Sequence, residues 1–428
     1  MNFTAHNTRY LINNYYNRRN KNTKENSDNQ NSINQKILDT IIDDDDEQFS
    51  EIISQSSDTG NYNKTFKMTN YKFPLILSSE PTYASLCAYF SAEKCLDALS
   101  MLASAGLESS EIKQPDNFGR NPIHFACAGG SLSIIRKLDQ AHFSLNEKDN
   151  EGCLPSHYAA MAGNLDIFKY LWMKGADLIS ASNQYNKMTP LHVASLYGNL
   201  NIVKFICETV VGEDETNTND DKKQLKLMNF AGFHNRYCKF STPLHLACEG
   251  GHEDILRYLL TKKELIDVQL ESLDRSSRTP LLVACKNGSL GCVKALIEYD
   301  RNLLKWKKNR KHVPLIDAAG NGYLDIVSFL LKQKEIVIDQ INSQKLDAIM
   351  TAVRNDRLNV VKCLVDNGAL KKYNDSQIGE LFLSACGSND INMVKYIDHV
   401  ADIPYFTKSN NKVAKWTRVG SLKMDENT

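Results

Sequence analysis

Four histidines recur at one place in a repeated phrase. They are His124 in "NPIHFA", His157 in "LPSHYA", His192 in "TPLHVA" and His245 in "TPLHLA". Imidazoles can ligate a metal or move protons near neutral pH. Here each occupies the same position of a successive copy, which points to a structural task instead. The ring is expected to bridge the turn backbone and the start of a helix. "HEDIL" at 252–256 opens like a zinc-protease helix but has no second histidine four residues on, so two ligands cannot share a face. Cys127, Cys248, Cys285 and Cys386 each follow the alanine of a phrase, and are expected to be small residues on a buried helix seam rather than nucleophiles. No GxGxxG or GxxxxGK[ST] phosphate loop is present. The sequons at 287–289 and 374–376 have no meaning in an intracellular chain. The expectation is therefore a chain with no catalytic residue, no metal and no cofactor.

The phrase dictates its own element. Thr189 can cap a helix by accepting from an early backbone N–H. Pro190 suits the first helical turn, where its missing donor costs nothing. Leu191 and Ala194 fall on one face, and the small alanine lets a neighbouring helix approach. Gly198 ends the helix in a left-handed conformation. Ile202, Val203 and Ile206 then make the apolar stripe of a second helix. Thr242, Pro243, Leu244 and His245 repeat the opening. Further copies start at Thr279, Val313, Asp347 and Glu380, and a worn one at Thr82. Starts at 82, 121, 154, 189, 242, 279, 313, 347 and 380 make nine units spaced mostly by 33 to 39 residues, with one step of 53. Turns such as "DNFGR" (116–120) and "DNEGC" (149–153) join them. One helix pair cannot bury its own apolar face, but a stack of them can.

These residues resemble the ankyrin repeat, whose consensus carries T-P-L-H-x-A at a period of about 33. The resemblance is strongest over 116–330 and weaker over 82–100 and 340–400. It implies an all-α solenoid of stacked helix-turn-helix units with short β-hairpin fingers. Where the histidine becomes Leu282, Ile316, Met350 or Leu383, the same helix is expected without its hairpin hydrogen bond, in less regular units.

Four segments follow: a tail at 1–35, an N-terminal helical cap and linker at 36–80, the array at 81–400 and a C-terminal tail at 401–428. Residues 1–35 are Asn-rich and poor in aliphatics, and are expected to be disordered. "KILDTIIDDDDEQFSEIIS" (36–54) regains a helical pattern and reads as a degenerate helix pair capping the array. Asp43–Asp46 fall at its turn and are expected to be solvated; the alternating ligands and central glycine of an EF-hand are absent. This pattern, followed by "PTYASLCAYFSAEKCLDAL", is similar to the expanded ankyrin families of parasitic protists. The long step holds a polar insertion, "VGEDETNTNDDKKQLK" (211–226), expected to loop out as a disordered segment. No polar terminal capping repeat is evident after Ile397. Either the tail covers the last unit or the chain is an incomplete version of a longer one.

Composition narrows the function. The chain has 428 residues, 42% hydrophobic and 24% charged, with a net charge of zero, so nothing global draws it to nucleic acid or anionic membrane. No apolar run approaches a membrane span or signal peptide. The 11 cysteines include no C-x-x-C, which fits free thiols in a reducing, cytoplasmic compartment. A non-catalytic scaffold that binds a protein partner on a concave face and fingers is the leading reading. An adaptor or regulatory subunit of an enzyme complex, such as a ubiquitin ligase, is the alternative. The candidate partner site is the finger in "DRNLLKWKKNRKHVPL" (300–315), with Lys305, Lys307, Lys308, Arg310 and Lys311 around Trp306. Arg275 and Arg278 come from the preceding finger. The patch suits an acidic protein segment; nucleic acid is a weaker fit, because the patch is small. The oligomeric state is left open.

Overall fold

Each complete phrase opens a helix at its proline and closes it at a glycine. In the computed structural model, the described residues are 28–55, 82–104, 114–178, 180, 182, 188–210, 241–262, 270–305, 312–387 and 390–400. An N-terminal pair comprises α1 (Asp28–Asp43) and α2 (Asp46–Gln55). Then come α3 (Tyr83–Phe90) with α4 (Glu93–Ser104), and α5 (Pro122–Gly129) with α6 (Leu132–Gln140). The next pairs are α7 (Pro155–Ala162) with α8 (Leu165–Met173), and α9 (Pro190–Tyr197) with α10 (Leu200–Phe205). A π-helical turn, Ile206–Val210, follows α10. They are followed by α11 (Pro243–Gly250) with α12 (Glu253–Leu260), and α13 (Pro280–Asn287) with α14 (Leu290–Tyr299). The last are α15 (Pro314–Asn321) with α16 (Leu324–Leu330), α17 (Ala348–Arg354) with α18 (Leu358–Asp366), and α19 (Asp375–Cys386) with α20 (Ile391–Val400). The insertion at 211–226 and the tail at 401–428 lie outside the described residues, as do 1–27 of the N-terminal tail.

The chain forms two bodies, Met1–Leu246 and Ala247–Thr428. In the first, α3, α5, α7 and α9 pack in succession, and α6, α8 and α10 form a second row. In the second, α13, α15, α17 and α19 make one row and α12, α14, α16 and α18 the other. The rows bury the apolar stripes read from the sequence, including Leu191, Ala194, Ile202, Val203 and Ile206. Close approach is strict between α3 and α5. A Cβ at Gly129 would fall onto the carbonyl oxygen of Tyr89.

Three expectations change. First, 28–35 is helical in its backbone rather than disordered, because α1 starts at Asp28; Ile33 extends the four-residue spacing of Ile37 and Ile41. Second, the aspartate turn is more than solvated. Asp44 has φ 53°, and its Oδ1 accepts from the amides of Lys94 (3.0 Å) and Cys95 (3.1 Å), capping α4. Third, among the described residues the fingers are tight turns, with no β-strand. Two backbone bonds close each one: Asp116 N–H to Arg120 C=O and Gly119 N–H to Asp116 C=O, both 2.9 Å, and Asp149 N–H to Cys153 C=O at 3.0 Å and Gly152 N–H to Asp149 C=O at 2.9 Å. One further bond, Asn150 N–H to Phe118 C=O at 2.8 Å, joins these two fingers, too little for a ladder. The units without the histidine divide. Those of Met350 and Leu383 are less regular, since α17 has seven residues and ends at Asn355 and α19 has twelve and ends at Gly387, neither in a left-handed conformation. Those of Leu282 and Ile316 are not. Helices α13 and α15 keep eight residues and a left-handed glycine, and Leu282 and Ile316 are buried in the histidine's place.

Candidate functional site

The histidine ladder is built from caps. In α9 the Thr189 side chain accepts from the His192 amide, and the Thr189 N–H donates back to His192 Nδ1 at 3.3 Å. The Asn121 and Leu154 amides meet Nδ1 of His124 and His157 in the same way, at 3.2 and 3.1 Å. Nε2 reaches the carbonyl of the following turn, Glu147 at 3.1 Å from His124 and Met188 at 3.0 Å from His157. An amide donor at Nδ1 and a carbonyl acceptor at Nε2 select the neutral ring with its proton on Nε2. Thr242 N–H faces Nδ1 of His245 at 3.1 Å. Burial, against the pull of Asp149, pushes the pKa of His124 down to about 4; burial also takes His192 to about 4 and lowers His157. These rings are joints between turn and helix, with their lone pairs occupied.

The fingers are clasped by acidic side chains that sequence reasoning passed over. Asp116 Oδ1 accepts from the amides of Phe118 (3.0 Å) and Arg120 (2.8 Å), while Oδ2 grips the Arg120 guanidinium at 2.9 and 2.7 Å. Asp274 repeats this with the amides of Ser276 and Arg278 and with the Arg278 guanidinium. In 149–153 the second carboxylate oxygen of Asp149 takes the Tyr158 hydroxyl at 2.6 Å instead. Asn342 does the turn-holding part alone, accepting from the amides of Gln344 and Leu346. The signal was available: Asp and Arg stand four residues apart in both "DNFGR" and "DRSSR".

That clasp sorts the candidate cations. Arg278 belongs to its turn, with a side chain 17% exposed. Arg275 and Lys305 are exposed. Trp306, Lys307, Lys308, Arg310 and Lys311 lie outside the described residues. At the end of that stretch, the His312 ring lies between the Ser276 carbonyl (Nε2, 3.1 Å) and the Asp317 carboxylate (Nδ1, 3.2 Å). Burial raises the Asp317 carboxyl pKa against the lowering pull of His312. Neither residue was singled out from the sequence, where position 317 reads as an ordinary variable site. Exposed apolar side chains stand beside this scaffold: Phe118 and Leu273 at fingers, and Tyr197 at the end of α9.

The seam cysteines divide. Cys127, Cys248 and Cys285 are buried thiols, whose pKa values burial raises. Cys386 is exposed, against expectation, as is Leu383 one turn before it. Among the described residues no group of three His, Cys, Asp or Glu side chains is arranged to hold a metal. No described helix is long and apolar enough to cross a membrane.

A model of ankyrin repeats in three copies matches residues 85–182, 217–305, 262–342 and 301–377, and a single-repeat model matches 186–216. Together these cover more than half of the chain. The chain belongs to the ankyrin-repeat family. It is 27% identical over 192 residues to the ankyrin repeat and KH domain-containing protein mask-1 of Caenorhabditis elegans, covering 37% of this chain and 7% of that protein. It is 26% identical over 167 residues to alpha-latroinsectotoxin-Lt1a of Latrodectus tredecimguttatus, covering 38% of this chain and 11% of the toxin. A third relative is the human transient receptor potential cation channel subfamily A member 1, 26% identical over 135 residues, covering 30% of this chain and 12% of the channel. The chain thus spans only about a tenth of the length of these relatives. The ankyrin-repeat domain of human ASB11 aligns at 21% identity and TM-score 0.43, over 58% of this chain and 98% of that domain. Ankyrin repeats are protein–protein interaction modules, and the helix pairs and capped turns described above are those of that solenoid fold.

Proposed function

We propose that this chain is a non-catalytic scaffold that holds a protein partner on its fingers and first helices, and that an acidic segment of the partner docks at the basic finger 301–312. The observation that supports this most is the contact of His312 with the Ser276 carbonyl. It ties the end of the basic stretch to the 274–278 turn, so the exposed Arg275 belongs to the same neighbourhood. The clasp from Asp274 holds that turn before any partner arrives, so docking does not have to order it. Arg278 supplies architecture here, and the proposed contact set is Arg275, Lys305, Trp306, Lys307, Lys308, Arg310 and Lys311. The buried free thiols fit a reducing, cytoplasmic setting. The sequence pattern of 36–100 supports the resemblance to ankyrin families of parasitic protists.

Charge reversal at Lys307, Lys308 and Lys311 in the full chain tests the site. Partners captured by the unaltered protein and identified by mass spectrometry should bind the variant at least tenfold more weakly. Binding of the unaltered protein should fall as salt rises. Capture that ignores both changes would remove this finger from the interface.

A further inference from the structure

The fourth and seventh positions of the phrase lie three apart on one helix face, the face that meets the following unit. Their burial is uniform along the array. His124, His157, His192, His245, Leu282, Ile316 and Met350 are all between 0 and 7% exposed. Cys127, Ala160, Ser195, Cys248, Cys285, Ala319 and Val353 are each fully buried. In α19 the same two positions are Leu383, which is 46% exposed, and Cys386, which is also exposed. Ile391, at the start of α20, is 54% exposed. The stacking face of the last described pair is therefore open, and it is apolar.

Its rim is acidic. Glu380 is exposed one turn before Leu383, on the same side of α19. Asp398 of α20 is near enough to add to partial burial in raising the Cys386 thiol pKa. The chain that follows is the complement. Between 408 and 423 it carries Lys408, Lys412, Lys415, Arg418 and Lys423 with no acidic residue, and Val413, Trp416 and Val419 recur at a spacing of three. This stretch lies outside the described residues. It begins eight residues after Val400, a connection that reaches about 27 Å when extended. Helix α19, at 12 residues, is only about 18 Å long, so every part of the face is within reach. Tethering also places the stretch at an effective concentration of the order of millimolar.

We propose that residues 408–423 of this chain dock on the open face of α19, with Val413, Trp416 and Val419 against Leu383 and Cys386 and the lysines and arginine against Glu380 and Asp398. The docked segment acts as a terminal cap for the array, in the place that a further repeat would take.

Cys386 reports on the cover. The full chain is pulsed with N-ethylmaleimide, a neutral reagent, and labelling at Cys386 is read by peptide mass mapping. The comparison is the Val413→Asp, Trp416→Asp variant, whose changes lie outside the described helix pairs, with the helical circular dichroism of the two proteins required to match. Labelling in the variant should be at least tenfold faster, and raising salt should speed labelling of the unaltered chain severalfold. Equal rates in the two proteins would overturn the proposal. Protection that disappears on dilution would also overturn it, since a second copy of the chain would then be the cover.

Discussion

At the scale of single residues, the neutral imidazole is the one form that fits its surroundings. A proton on Nδ1 of His192 would face the Thr189 amide, itself a donor. His124 and His192 have folded pKa values of about 4 against an ordinary 6.5. The unfolded chain therefore binds more protons through this window, and stability must fall as pH falls. Each such ring should contribute a slope of about 1.4 kcal/mol per pH unit between about pH 6.5 and 4, and none above pH 7. Urea titrations at a series of pH values check this. His192→Leu copies the residue that the chain itself uses at 282 and should flatten the slope by one such increment. An unchanged slope would mean that the ring is not held neutral by its cap.

At the scale of elements, the finger depends on a buried pair rather than on strand pairing. Asp116 and Arg120 have side chains 0 and 7% exposed, so removing one charge leaves the other stranded. Asp116→Ala should cost about 3–5 kcal/mol, the usual result of breaking a buried ion pair. Asp116→Asn with Arg120→Leu should cost much less, because Asn342 and Leu346 already make a finger of that type. Denaturant midpoints of the two variants decide the matter. By contrast, Arg257 with Glu253 and Glu298 is an exposed set on α12 and α14, worth about 0–1 kcal/mol per pair.

For the molecule as a whole, stability in a nearest-neighbour stack follows the quality of each unit and of its interfaces. Amides around Leu191, Leu244 and Leu281 should exchange slowest with solvent, and those around Phe382 first, by hydrogen-exchange mass spectrometry. The structure supplies the reason. Leu191, Leu244 and Leu281 are buried in first helices, whereas among the described helices α19 meets one first-row neighbour, α17, and a docked segment is a thinner cover than a helix pair. Uniform exchange along the array would mean that the worn phrase at 380–385 packs as well as the intact ones.

By itself the sequence determined everything that is local and repeated. Proline, capping threonine, small alanine and terminal glycine act within one turn of helix, so spelling them at a period near 33 is enough to place the helix pairs. It also determined that the histidines are joints, because their position in the phrase is fixed. Tertiary structure decided whatever depends on a neighbour distant in the chain. Asp44 reads as solvated until α4 is brought beside it, since it caps amides 50 residues away. The ring of His312 acquires its place only when the 274–278 turn, 36 residues back, offers it the Ser276 carbonyl. Cys386 has the same place in the phrase as Cys127, yet one is exposed and the other buried. Burial belongs to a pair of surfaces, and one line of residues writes only one of them.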